Sequence, residues 1–296
     1  MRWRLCVQFL GMPMAFVAWL YMQQDSIIYH PSRYRRALPQ RFQNEGVEVR
    51  DVPFDTAEGE QHAILYKPVV GRSDRLYAVF GGNAMVARHW IEILAEFSDP
   101  RWADTAFLLL DYPGYGNSSG TPSQASIGRM SGQALQAGLR ALSLDGRDDV
   151  ELGAVGHSIG CAAALQLAIQ MANSKHALRH VALSAPFTSI AEEAQAMLPL
   201  LSVVPTSLIA FLTRSNAWDN KAAVRELAGA GARAPRVDII HGTEDDIVPH
   251  RMGEELYALF RSLGLEATFL SVRADHNRLL FEKAFGKWLR KALARA

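Results

Sequence analysis

The spacing of apolar and polar positions changes period repeatedly along this chain. Residues 47–52 and 62–67 alternate with period two, which reads as an antiparallel pair of half-buried strands. From there on, short apolar runs exchange with stretches of helical spacing. Strands are expected at residues 76–80, 105–111, 150–155, 180–184, 237–241 and 267–272. Helices are expected at 86–97, 123–144, 158–171 and 251–263, with a closing helix from Leu279 onward. Strands that alternate with helices, and that are apolar without interruption, predict an α/β fold: a mainly parallel sheet covered by helices on both faces.

One stretch breaks the cycle. Residues 185–235 carry no strand signal and include two apolar segments, around Leu198 and from Leu208 to Leu212. An insertion at this point predicts a small helical cap over an active site, with core-packing helices as the plain alternative.

The N-terminus has a different pattern. From Leu5 to Met22 the chain is apolar except for Gln8, and Arg2 and Arg4 precede it. A helix of about 18 residues rises roughly 27 Å, just enough for the hydrocarbon of a bilayer. A retained membrane anchor over residues 1–24 is the expectation, with a cleaved signal and a buried helix as rivals. No Ala-x-Ala-like site ends the run. The basic, proline-punctuated stretch that follows reads as a linker over 25–40, so that the globular domain spans 41–296. Membrane location follows, with the domain leaning towards the periplasmic or extracytoplasmic side.

Composition narrows the partners. Apolar residues make up 49% of the 296, enough for a sizeable core, so a disordered chain is excluded. With 31 basic against 30 acidic residues and no basic stripe, no nucleic acid is expected. Cys6 and Cys161 are the two cysteines, too differently placed to predict a disulfide. No Cys/His spacing suits a metal.

Gly156-His157-Ser158-Ile159-Gly160 matches Gly-x-Ser-x-Gly, and its setting matters more than the match. An apolar strand runs into it and an Ala-rich helix runs out, as a nucleophile on a sharp strand-to-helix turn requires. A serine hydroxyl needs a base, and the base needs an orienting carboxylate, so both are expected downstream. Asp245 follows the 237–241 strand and His276 follows the 267–272 strand, each past the carboxyl end of its strand. Asp246 and then Asp275 compete for the acid role; capping and loop roles are the plain alternatives for Asp245 and His276. His157 is expected to be structural. For the oxyanion, the N–H groups of Ile159 and Asn83 are expected, with Ala84 as the alternative to Asn83.

With these residues in place, the chain resembles the α/β-hydrolase superfamily. More narrowly it resembles the bud-emergence group of membrane-anchored hydrolases, relatives of the α/β-hydrolase-domain depalmitoylases. The matching stretches are Ile27-Ile28-Tyr29-His30-Pro31-Ser32, Gly82-Asn83-Ala84, Asp111-Tyr112-Pro113-Gly114-Tyr115-Gly116-Asn117-Ser118, Gly120-Thr121-Pro122-Ser123, the serine pentapeptide, Ser184-Ala185-Pro186-Phe187-Thr188-Ser189 and His241-Gly242-Thr243-Glu244-Asp245. Where that group has His-Gly-Asn-Ala-Gly, this chain has Gly81-Gly82-Asn83-Ala84-Met85. The resemblance implies the α/β-hydrolase fold, the triad Ser158, Asp245 and His276, and a small cap.

Together these readings predict a serine hydrolase of ester or thioester bonds, using no cofactor and acting on a small-molecule or lipid-like acyl substrate. A serine aminopeptidase is the second reading, with Glu192 and Glu193 as the acidic residues available to hold an amine. A non-catalytic binding protein on the same fold is the third.

Overall fold

The computed structural model describes residues 23–34, 46–69, 73–97, 102, 104–198, 201 and 203–294. Among them one sheet of eight strands organises the chain: β1 (Val47–Thr56), β2 (Gly59–Pro68), β3 (Arg75–Phe80), β4 (Thr105–Leu110), β5 (Glu151–His157), β6 (His180–Ser184), β7 (Arg236–Gly242) and β8 (Ala267–Val272). Their order across the sheet is β1-β2-β4-β3-β5-β6-β7-β8. The hairpin strands β1 and β2 are antiparallel, β2 joins β4 antiparallel, and all pairs from β4 to β8 are parallel.

The side-chain alternation of the strands divides the core in two. Leu76, Ala78 and Phe80 of β3 face one side, with α2 (Gln124–Ala141), α3 (Ile159–Met171) and α7 (His250–Ser262) packed there through Met130, Leu165 and Phe260. Tyr77 and Val79 face the other, against α1 (Ala87–Glu96) and α8 (Lys283–Ala294) through Trp90 and Trp288. Both faces are therefore covered, and each fully buried Leu, Ile or Phe contributes about 1.5–3 kcal/mol. The expected α/β architecture is the observed one.

The chain leaves β3 for β4 on one side and returns to β5 on the other, so the strand order reverses beside β3. Loops after β3 and β5 consequently diverge at the carboxyl edge, leaving a crevice between them. The insertion adds α4 (Ile190–Met197), α5 (Thr206–Leu212) and α6 (Asn220–Ala228). Ser189 starts α4 by accepting the N–H of Glu192, and Asp219 starts α6 by accepting that of Ala222. Val224 and Leu227 of α6 join the main core, whereas Met197, Leu198 and Phe211 stay exposed.

The N-terminal expectations need correction. Among the described residues no helix is long and apolar enough to cross a membrane. The run from Leu5 to Met22 lies outside the described residues. The expected transmembrane anchor, the membrane as a partner and the membrane location with an outward-facing domain are withdrawn with it. What the N-terminus does show is a packed segment where a linker was expected. Tyr29 is fully buried, its hydroxyl donating to Oδ1 of Asn216 at 2.8 Å and accepting Nε1–H of Trp218 at 2.8 Å. Arg33 donates to the carbonyl of Ser118, and the Ser32 carbonyl accepts the N–H of Gly116. The alternation rule reads only elements with a repeating period, and an irregular segment held by single anchors has none.

Candidate active site

Ser158 sits where β5 turns into α3, with φ 55° and ψ −123°, a conformation that non-glycine residues rarely adopt. The flanking glycines make the turn possible. A Cβ on Gly156 would lie 2.4 Å from the carbonyl oxygen of Gly160, and one on Gly160 would lie 2.4 Å from that of Phe80. The serine's own N–H donates to the Ser184 carbonyl at 2.9 Å, which ties the turn to β6. Cys161, one turn on, is a fully buried thiol whose pKa burial pushes up, so it offers no thiolate.

The carboxyl end of β7 supplies Asp245 and that of β8 supplies His276. Nδ1 of His276 donates to Oδ2 of Asp245 at 2.7 Å, while Oδ1 accepts the N–H groups of Ile247 and Val248 at 3.0 and 2.8 Å. Since a carboxylate only accepts, the proton belongs on Nδ1 and Nε2 of His276 is left as a base. A second histidine stands behind the acid. Nε2 of His241 lies 3.0 Å from the Val248 carbonyl and 3.3 Å from Oδ2 of Asp245, so its proton also points at the carboxylate. Burial works to raise the pKa of Asp245, but hydrogen bonds from His241 and His276 outweigh it and hold the carboxyl well below its usual range.

The competing residues are placed elsewhere. Asp246 is exposed, and Asp275 accepts the N–H groups of Asn277 and Arg278 at the start of a short helical turn. His157 is buried, its Nδ1 3.1 Å from the Ser184 hydroxyl and its ring 4.9 Å from that of His276. Burial first, and then the charge of His276, push its pKa well down, so it remains neutral.

The loop after β3 brings Gly82 and Asn83 to Ser158. A Cβ on Gly82 would sit 3.4 Å from that of Ser158 and 3.0 Å from Cδ2 of His157, so glycine keeps this approach open. Met85, which stands where the expected pattern has glycine, covers the loop with its sulfur 3.2 Å from the Gly82 nitrogen. Asn83 is held by its side chain. Nδ2 donates to the Ile28 carbonyl at 2.7 Å, and Oδ1 accepts from the His30 N–H at 2.9 Å, the Ala84 N–H at 3.0 Å and the Tyr115 hydroxyl at 3.1 Å. Ile159, as the first residue of α3, has an N–H with no acceptor within its helix.

Ser158, His276, Asn83 and Ile159 line one cavity of about 670 Å³. Its other walls are mostly apolar, from Ile27 and Ile28 of the N-terminal segment, Ile190, Met197 and Leu198 of the insertion, and Ile247. The three sequence-predicted catalytic residues and both predicted oxyanion residues thus converge at one carboxyl edge, with Asp245 behind His276. The clamp on Asn83 and the second histidine His241 were not foreseen, whereas Glu193, one of the two glutamates expected to be available for an amine, faces the cavity. The Ile27-to-Ser32 motif pointed to the first, although its contact with Asn83 is legible only in three dimensions.

Comparison with known proteins bears on the family and the fold. The uncharacterized protein Rv2307c of Mycobacterium tuberculosis is 30% identical over 248 residues, covering 82% of this chain and 77% of that protein. The uncharacterized protein YfhR of Salmonella typhi is 28% identical over 235 residues, covering 72% and 70%. Among solved structures, the Pyrococcus furiosus esterase Pf2001 is similar with a TM-score of 0.63 at 17% identity, covering 90% of this chain and 97% of that one. An alpha-beta hydrolase from Vibrio vulnificus gives 0.65 at 17% identity, covering 88% of each. The solved structures speak to the fold alone. None of these likenesses leads to the bud-emergence group or to depalmitoylases, and that narrower resemblance is withdrawn. The match to residues 79–283 takes in the serine turn, the insertion and the carboxyl ends of β7 and β8, and by that match the chain belongs to the alpha/beta hydrolase family.

Proposed function

We propose that the chain is a serine hydrolase cleaving carboxylic ester or thioester bonds through an acyl-enzyme intermediate, with Ser158 as nucleophile, His276 as base and Asp245 as orienting acid. The observation that carries this reading is the 2.7 Å contact between Asp245 and Nδ1 of His276, in a cavity that His276 shares with the strained Ser158. In this reading Nε2 of His276 takes the hydroxyl proton as Oγ attacks the acyl carbon, and the imidazolium formed is stabilised by Asp245. The N–H groups of Ile159 and Asn83 receive the oxyanion. Collapse expels the alcohol or thiol, which takes the proton from His276. Water, deprotonated by the same nitrogen, then releases the acid.

The apolar walls favour an apolar acyl chain over a small polar one. A fluorophosphonate probe and nitrophenyl esters of graded chain length test the reading. Labelling and turnover are expected in the wild type and absent in Ser158→Ala; labelling that survives the substitution overturns the assignment.

A further inference from the structure

The glutamates 192 and 193 are neighbours in sequence with opposite fates. Glu192 forms an ion pair with Nζ of Lys221 at 2.8 Å, and that lysine also reaches Glu255 at 3.0 Å. Glu193, on the inner side of α4, lines the cavity that contains Ser158 and His276. It is the only carboxylate residue among the described ones that line it. Among the described residues its carboxyl oxygens have no hydrogen-bond or ion-pair partner, and its backbone N–H donates to the Ser189 carbonyl. Glu193 is half-buried, and the same cavity is lined by the apolar side chains of Ile27, Ile190, Ala194 and Met197.

We infer that Glu193 receives a cationic ammonium group of the substrate, so that the cavity selects amine-bearing acyl esters over neutral ones of the same shape. This rests on the reading of Ser158 as nucleophile. The physical reason is the unpaired carboxyl itself. In a half-buried, mostly apolar wall an ionised carboxylate loses part of its solvation, and a ligand cation restores what is lost. A substrate with only a hydrocarbon chain leaves the group unpaired and gains nothing from it. Burial, and next the negative charge of Asp245, push the carboxyl up to about 7, as expected of a group with no counter-charge of its own. The other titratable groups facing the cavity are His30, His157 and His276.

The test compares ω-aminoalkanoyl esters of graded length with neutral alkanoyl isosteres of the same alcohol. In the wild type at pH 8 the best amino ester should exceed its isostere by about tenfold or more in kcat/KM, a ratio typical of one partly desolvated charge pair. Glu193→Gln and Glu193→Leu should both bring the ratio to about one through loss on the amino ester. An alkylamine stays charged up to a pKa of about 10.4, so the ratio reports the carboxyl. It should rise with pH through about 7, because only the ionised carboxylate attracts the cation, and His276 acts equally on both esters. A wild-type ratio below one at every length, unmoved by either substitution, overturns the inference. Calorimetry of an alkylammonium ion with Ser158→Ala protein, with and without Glu193→Gln, separates it from the hydrolase reading. Binding lost with the carboxyl supports Glu193 whatever the nucleophile, and binding that is absent or unaffected refutes it.

Discussion

The side-chain carbonyl of Asn83 accepts the backbone N–H of His30 at 2.9 Å, so the loop that carries a candidate oxyanion donor and the segment ahead of β1 form one unit. Nδ2 of the same residue donates to Ile28, which fixes the amide from both ends.

If the proposed hydrolase reading holds, residues 23–34 belong to its active site. Deleting residues 1–34 should remove Tyr29 from the core and free Asn83, with a loss of about 100-fold or more in kcat on a short ester. Deleting residues 1–22 should leave probe labelling of Ser158 in place. Equal rates from both truncations would show that the clamp has no part in catalysis.

Asn83→Ala removes the clamp but keeps the backbone N–H. We expect kcat to fall by about ten- to a hundredfold with little change in KM, as when a donor made for the transition state is misplaced. Steady-state kinetics on a soluble ester decide it. A rise in KM alone would assign Asn83 to substrate binding.

Asp245→Asn should depress kcat far more than Asp246→Asn, on the order of 10³ to 10⁴-fold, because an amide in its place can no longer enforce the tautomer of His276. Asp246 is exposed and its change should be nearly silent. A larger effect from Asp246→Asn would mean that the acid has been misassigned.

Gly160→Ala should destabilise the fold by about 3 kcal/mol or more, since the new methyl would press on the carbonyl oxygens of Phe80 and Gly81. Urea denaturation followed by circular dichroism measures it. An unchanged midpoint would mean that the turn yields more easily than its packing implies.

Asp238 sets an acid limit. Burial works to raise its pKa, but hydrogen bonds from His180 and Thr268 bring it down to about 2, below the value near 3.9 of an unfolded chain. A depressed folded pKa stabilises the protein above about pH 4, and that contribution is lost as the pH falls through about 2. Asp238→Asn should therefore reduce stability at neutral pH and flatten its loss on acidification. A parallel acid limb in the variant would exclude this aspartate as its source.

The strands and helices were legible because each depends on a local period: two for a pleated strand, 3.6 for a helix. The serine turn was legible for a similar reason, since its glycines are demanded by atoms within a few residues, apart from the approach of Gly160 to Phe80. Order along the chain also placed Asp245 and His276 past strand ends, which parallel strands bring to one edge. Which acid points inward was another matter. Asp245 and Asp246 are adjacent and alike, and only the turn after β7, closed by the N–H groups of Ile247 and Val248, aims the first at His276. Glu192 and Glu193 make the same point on a helix, where successive side chains diverge by about 100° and so meet different neighbours. The sequence by itself determined the elements, the serine turn and the candidates for each role. Tertiary structure decided which aspartate reaches His276, which glutamate faces the cavity, and that Ile28 and His30 close against Asn83, because those contacts join residues far apart along the chain, beyond the reach of any local period.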